Sequence, residues 1–351
     1  MKVQTSEYCT VGHPDRMCDY IVSYILDRYL EKDPKARVAL ECQIKNHECT
    51  LSGEVTSTCR YSDAELAGFI RMAVFKVGYS ETYREAFGRG NAIANTLIRT
   101  TVHITRQSPD IAQGVDADGW GDQGIFWGYA VDDPKRGYMP KDYYLARLLG
   151  KELYSSGLGG LDIKTQVTVE SGKVTRCVVA IPIPEGLEDE RMPQIREIVR
   201  KVCGKGCRTV INGTGRYVVH GPIGDCGTTG RKLVADFYGC ASRIGGGSPW
   251  GKDPSKADVA LNVLARRKAV EFLKRHGLDE VCCLVSCCIG KRRVLVSYYD
   301  GENEFLGSSV MDAPVSKIVK SLGLDRPDYA EACRLGLFGR EGAAVTPRRR
   351  A

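Results

Sequence analysis

Apolar residues recur along this chain at two spacings, and the alternation between them marks out its elements. Met17, Ile21, Ile25, Tyr29 and Leu30 fall at helical spacing and predict a helix over residues 17–30, approached through Gly12-His13-Pro14-Asp15. Strands are predicted at about 37–44 and 49–57, carrying Glu41 and Glu54. A second helix opens at Ser62 with Glu65 three residues on, a capping-box pattern. It runs through Leu66, Phe69, Ile70, Ala73 and Val77 and stops at Gly78. A strand near 98–105 closes this first block.

The order of strands, helix, strand then recurs. Residues 163–169 and 173–180 read as strands, 191–202 as a helix and 208–220 as a strand. In the last block, residues 231–238 precede a long helix from about Ser255 to His276 that stops at Gly277, followed by strands at 281–289 and 293–299. Three similar α/β blocks fit a length of 351 residues, which by itself predicts two or three domains. Between the first two blocks lies Gln107-Ser108-Pro109-Asp110-Ile111-Ala112-Gln113-Gly114-Val115-Asp116-Ala117-Asp118-Gly119, a polar segment punctuated by Pro and Gly that reads as a mobile loop or linker.

Composition narrows the class. With 43% hydrophobic and 26% charged residues the chain is an ordinary globular one, which excludes disorder, collagen and coiled coil. Its net charge of +7 comes partly from Arg340, Arg348, Arg349 and Arg350 near the end. The remainder suits an anionic small molecule better than a nucleic acid. The opening Met1-Lys2-Val3-Gln4-Thr5-Ser6-Glu7 has no apolar stretch, and no apolar run reaches the ~18 residues of a membrane span. A cytoplasmic protein without membrane contact is therefore expected. The 15 cysteines are odd in number, which favours reduced thiols. Cys203/Cys207 and Cys282-Cys283 with Cys287-Cys288 could be metal ligands, but packing as small hydrophobes is the favoured reading of both.

Candidate chemistry concentrates in glycine-rich segments. Gly245-Gly246-Gly247-Ser248-Pro249-Trp250-Gly251-Lys252 nearly fits a phosphate-binding loop, with Asp253 where Ser or Thr would follow. Its backbone N–H groups lead toward a helix start, and Lys252 and Lys256 add positive charge. Gly12-His13-Pro14-Asp15-Arg16, Gly121-Asp122-Gln123-Gly124 and Gly224-Asp225-Cys226-Gly227 with Thr229-Gly230-Arg231-Lys232 repeat the pairing of carboxylate with flexible backbone or cation. Each alone is commonly structural. Together they have the composition expected around a magnesium-bound polyphosphate.

These motifs, with Gln107-Ser108-Pro109-Asp110-Ile111 and Gly251-Lys252-Asp253-Pro254-Ser255-Lys256, resemble S-adenosylmethionine synthetase (methionine adenosyltransferase) in order from Ser6 to Phe338-Gly339-Arg340-Glu341. The resemblance implies an α+β fold of three similar α/β repeats in a pseudo-threefold arrangement. Its expected division is an N-terminal domain 1–106, a gating loop or linker 107–120, a central domain 121–220 and a C-terminal domain 221–351 with the basic tail. The implied reaction joins ATP to L-methionine, the sulfur attacking C5′ in line and the expelled tripolyphosphate then being hydrolysed, with Mg²⁺ and K⁺ as cofactors.

By motif, the resemblance implies His13, Lys164, Asp225, Arg231 and Lys252 as catalytic residues. Asp162, Arg216, Tyr217, Lys232 and Ser248 join those five in binding ATP. Glu54, Gln107, Asp122, Asp225 and Lys256 would contact methionine, Asp15 and Asp258 magnesium, and Glu41 potassium. It also implies a homodimer or a dimer of dimers with the active site at the subunit interface. The chain departs from the family pattern at Trp120, Gly213, Ile244 and Ser248-Pro249-Trp250, and looks shorter between Asp116 and Gly121. Two other readings remain open on sequence: a non-catalytic partner of the same fold, and a nucleic-acid binder acting through the arginine tail.

Overall fold

The computed structural model describes residues 3–106, 118–326 and 328–338. The first helix, α1 (Pro14–Lys32), starts on the proline, whose fixed φ suits the first helical position. It feeds a hairpin of β2 (Arg37–Lys45) and β3 (Glu48–Thr56). Helix α2 (Asp63–Val77) is capped as its sequence predicts: Ser62 and Glu65 exchange backbone hydrogen bonds, and Gly78 ends the helix in the left-handed region at φ 116°. Strand β4 (Arg99–Thr105) returns parallel to β3.

The same sequence of elements follows twice more. Helix α4 (Lys141–Ser156), after the short α3 (Glu81–Phe87), leads into the hairpin β6 (Lys164–Glu170) and β7 (Lys173–Ala180). Helix α5 (Glu188–Cys203) then crosses to β8 (Arg208–Ile211), parallel to β7. The third repeat has the short turns α6 (Gly221–Gly224) and α7 (Leu233–Asp236), then helix α8 (Ala257–His276) and the hairpin β10 (Glu280–Cys287) and β11 (Arg293–Tyr299). Here the pattern changes, because β12 (Phe305–Asp312) runs antiparallel to β11 and helix α9 (Val315–Leu322) comes after it.

The three four-stranded sheets are completed by exchange. A strand that leads each repeat pairs with the hairpin of the next. Thus β1 (Val3–Cys9) pairs with β6, β5 (Gly124–Val131) with β10, and β9 (Gly227–Thr228) with β2. Each long helix covers the hairpin of its own repeat and the strand added to it: α1 packs on β2 and β9, α4 on β6 and β1, and α8 on β10 and β5. One large apolar core joins the first and third sheets through Met17, Ile25, Leu40, Phe126 and Val285, and a second fills the middle sheet through Leu149, Val167 and Ile195.

Two departures from the predicted elements have local causes. The predicted strand over 208–220 ends at Ile211, because Asn212 takes a left-handed φ of 46° and the Asn212-Gly213-Thr214-Gly215 turn follows. At the end of the segment expected as a linker, Trp120 is fully buried, its backbone N–H donates to the Lys291 carbonyl and its carbonyl accepts from the Gly290 amide, so this residue is pinned. Residues 107–117, including Gln107, lie outside the described residues.

Gly12, at the approach to α1, shows how closely the repeats meet. A Cβ there would stand 2.3 Å from the Leu161 carbonyl oxygen, a backbone atom that cannot turn aside. Gly12→Ala should therefore destabilise the chain by about 1–3 kcal/mol in urea denaturation, whereas Gly157→Ala, with open space around it, tests only the backbone penalty of a positive φ.

Candidate active site

The start of α1 carries the first functional pair. His13 is the N-cap, and its Nδ1 accepts from the Asp15 amide at 3.2 Å, which assigns the ring proton to Nε2. Asp15 is fully buried. Its Oδ1 accepts from the Thr228 amide at 2.8 Å, Lys232 Nζ donates to Oδ2 at 2.6 Å, and Arg231 Nε lies 3.0 Å away. Gly227 permits this approach, since a Cβ on it would meet the Pro14 carbonyl at 2.3 Å.

Electrostatics fix the charge states of the pair. Burial raises the Asp15 carboxyl, but hydrogen bonds from Lys232 and Thr228 and the charge of Lys232 outweigh it, so the group sits below the usual carboxylate range. Burial, assisted by Lys232, pushes His13 down to about 3 against the opposing pull of Asp15. His13 is thus a neutral imidazole with an Nε2–H donor.

That imidazole lines a cavity of about 430 Å³ together with Asp162, Lys164, Arg216, Tyr217 and Asp225. Six residues named from sequence are thereby brought to one place. Lys164 opens β6 opposite Cys9, so the exchange of β1 sets it near His13. Asp162 accepts from the Gly221 amide at 2.9 Å through Oδ2, while its buried Oδ1 has no protein partner. Burial pushes this carboxyl up to about 6. Tyr217 donates to the Asp162 carbonyl at 3.3 Å, Arg216 pairs with exposed Glu185 at 2.8 Å, and Asp225 takes the Cys226 amide.

The glycine loop forms a second cationic arm. A Cβ on Gly245 would stand 2.1 Å from the Ile125 carbonyl, so only glycine passes β5 this closely. Asp258, in the first turn of α8, accepts from the Gly247 amide at 2.7 Å and from Lys252 Nζ at 2.5 Å. Ser248 lies against Gly230, joining this arm to the one that carries Arg231 and Lys232. The Cys287 thiol donates to the Asp122 carbonyl at 3.3 Å, which ties Asp122 to the end of β10.

Other named residues stand apart from the cavity lining. Lys256 pairs with Asp253 at 2.9 Å, and Asp253 in turn accepts from the Val38 and Ser255 amides, so this lysine braces the turn before α8. Glu41 and Glu54 share the outward face of the sheet β4-β3-β2-β9, Glu41 opposite Ser52 and Glu54 opposite Ala39, while Val38, Leu40 and Cys42 fill the buried face. Along β2, Glu41 lies between the residues that pair with the two neighbouring segments, Gly227-Thr228 and Gly251-Lys252.

Among the described residues no three His, Cys, Asp or Glu side chains converge as a metal cage. Asp15 and Asp258 are instead single carboxylates whose oxygens are held by lysines and amides. This donor set fits Mg²⁺, which commonly keeps its waters and binds through one or two carboxylates plus phosphate oxygens. All 15 cysteines are free, and Cys283 is buried while its neighbour Cys282 is less so, as strand alternation requires.

Two groups near the site have roles that the sequence did not show: His220 carried no signal, and Arg16 was read only as the cation of the motif at the start of α1. His220 lines the cavity, with Tyr83 hydroxyl 2.5 Å from Nε2 and the Val218 carbonyl 2.6 Å from Nδ1. Arg16 is buried between Asp19 and Asp236, and Trp250 completes that cluster. Both depend on contacts between residues far apart in the chain.

An α+β fold whose cavity gathers His13, Lys164 and Arg216, with Arg231 and Lys232 held on Asp15 close by, defines a class that handles anionic substrates. Residues 1–109 match the family model of the S-adenosylmethionine synthetase N-terminal domain, and residues 219–347 that of the C-terminal domain. An S-adenosylmethionine synthase of Mycobacterium sp. (strain KMS) is 34% identical over 96% of this chain and 93% of its own length. One of Methylobacterium sp. (strain 4-46) is also 34% identical, over 96% of this chain and 92% of its own. A solved structure of an unusual S-adenosylmethionine synthetase from Campylobacter jejuni superposes with a TM-score of 0.85 at 28% identity, covering 97% of this chain and 96% of that one. The chain belongs to the S-adenosylmethionine synthetase family. That family uses ATP and methionine and depends on metal ions.

Burial pushes His220 down to about 4, so it and His13 are neutral near pH 7. Their ring ¹⁵N resonances should stay flat between about pH 5 and 8. An unfolded histidine titrates near 6.5, so the unfolded state takes up protons first on acidification. Stability from His220 is complete above about 6.5 and is lost as pH falls toward 4. The difference in unfolding free energy between the chain and His220→Gln should shrink over that interval.

Proposed function

We propose that this chain is a methionine adenosyltransferase that converts ATP, L-methionine and water to S-adenosyl-L-methionine, pyrophosphate and phosphate. The observation that carries the reading is a neutral His13 donor in a cavity lined by Asp162, Lys164, Arg216 and Tyr217, with Arg231 and Lys232 gathered on Asp15 two residues from His13. A thioether has no proton to lose, so attack of sulfur on C5′ needs no general base. The protein's task is to align two substrates and stabilise a polyanionic leaving group.

In this reading the adenosine occupies the cavity against Asp162, Arg216 and Tyr217. His13 donates Nε2–H to the departing oxygen, while Lys164, Arg231, Lys232 and Lys252 balance the phosphate charge and Ser248 contributes from the glycine loop. Asp225 stands between the substrates. Glu54, Gln107, Asp122 and Lys256 are assigned to methionine, Asp15 and Asp258 to Mg²⁺, and Glu41 to K⁺. Bound magnesium supplies electrostatic neutralisation of the leaving phosphates. Asp15 and Asp258 would exchange some of their lysine contacts for it, releasing Lys232 and Lys252 toward the phosphates. The outward position of Glu41 and Glu54 supports a homodimer, or a pair of dimers, with the site completed where subunits meet.

Incubation of the protein with ATP, methionine, Mg²⁺ and K⁺ should yield S-adenosylmethionine with both pyrophosphate and phosphate by chromatography, and no product under these conditions would refute the reading. Lys252→Ala and Asp15→Ala should each lower kcat by roughly 10²–10³ with circular dichroism unchanged. Analytical ultracentrifugation should find at least a dimer.

A further inference from the structure

Trp250 occupies a junction that its place in a glycine loop does not require. Its side chain is 1% exposed, and its indole N–H donates to Asp236 Oδ2 at 2.7 Å. The Arg16 guanidinium lies over the ring, 5.3 Å from its centroid. Arg16 pairs with the other oxygen of Asp236 and with Asp19 at 3.2 Å, and also donates to the Cys333 carbonyl at 2.8 Å. The Trp250 amide donates to Ser248 Oγ at 3.2 Å.

The position of Asp236 gives these contacts their meaning. It ends α7, the turn that begins immediately after Lys232, and the Asp236 amide donates to the Lys232 carbonyl at 2.9 Å. Lys252 stands two residues beyond Trp250 in a segment bridged to Ala39. One buried carboxylate therefore connects the arm bearing Arg231 and Lys232 to the arm bearing Lys252. The indole N–H is the side-chain link between that carboxylate and the glycine loop. The second arm is also anchored on β2, where the Leu40 amide donates to the Gly251 carbonyl at 3.0 Å and the Asp253 amide to the Val38 carbonyl, so the indole contact sets how this anchored segment stands against α7.

We propose that Trp250 is a positioning residue that sets the separation of the two cationic arms, so that an anion long enough to span both, a linear tripolyphosphate, is preferred over a shorter phosphate. The inference rests on the methionine adenosyltransferase reading for its role in turnover, but it is read by binding alone. The contact is a hydrogen bond to a charged group, which Trp250→Phe removes while keeping a ring under Arg16.

Calorimetric titration with Mg²⁺-tripolyphosphate and Mg²⁺-pyrophosphate tests it on the wild type, Trp250→Phe, Lys252→Ala and the double variant. Trp250→Phe should weaken tripolyphosphate about tenfold and pyrophosphate less than about threefold. In the Lys252→Ala background the same change should cost less than about twofold, because the residue acts through Lys252. Equal losses for both anions, equal losses with and without Lys252, or no loss at all would each overturn the proposal. If the Phe variant is unstable to heat, Trp250→His, which retains a ring N–H, decides at pH 8: tripolyphosphate selectivity kept supports positioning, and selectivity abolished overturns it. Wild type that binds tripolyphosphate in this pattern yet forms no S-adenosylmethionine would count against the activity and leave the positioning standing.

Discussion

The constraint on which the remaining structure depends is that no repeat completes its own sheet. A hairpin left with a bare edge would expose a row of unpaired N–H and C=O groups, and here that edge is filled by the leading strand of the preceding repeat. The exchange is cyclic, so the third repeat returns β9 to the first hairpin. Two contacts of the site follow directly from this closure. Lys164 meets His13 because β1 pairs with β6, and Thr228 reaches Asp15 because β9 pairs with β2. The tight glycines, Gly12, Gly227 and Gly245, stand where one repeat's backbone passes another's.

Within that frame the charges are arranged in two layers. An inner layer, Arg16 with Asp19 and Asp236, is buried and paired, and burial pushes Asp19 up to about 7 even with the guanidinium beside it. A buried group of this kind is weak evidence for stability, because desolvation offsets the attraction. Its value lies in specifying geometry, since α1, the turn after Lys232, Trp250 and the segment at Cys333 all meet on it. In the outer layer Asp15 is itself buried, but its partners Arg231 and Lys232, and the pair Asp258 with Lys252, are more open. Fixed charges beneath more exposed ones suit a site for a polyanion.

The sequence was most informative where a signal is local. The capping box at Ser62 and Glu65, the stops at Gly78 and Gly277, and the hairpin at 37–56 need only neighbouring residues, and each appears at its predicted place. The strands β1 and β5 were not predicted, because each is defined by a partner more than a hundred residues away, and β12 departs from the repeat. Of the site, the glycine segments and their cations were legible as motifs, and the cavity gathers six of the named residues. Lys256 shows the limit: spacing places it in the motif, but only the fold shows it turned toward Asp253. His220 was illegible for the opposite reason, since an isolated histidine gains its meaning from distant neighbours, and Arg16 was legible only as a cation of its motif, not as the partner of Asp236.

The cyclic exchange also has a consequence during synthesis. Asp15 emerges early from the ribosome, but Thr228 and Lys232, which hold its carboxylate, lie more than two hundred residues later. The first sheet cannot close until the third repeat has been made, and contacts this far apart in sequence make folding slow. A partial chain is therefore not a weaker version of the whole. It carries unfilled sheet edges and an unpaired buried acid, and is a natural substrate for chaperones or proteases.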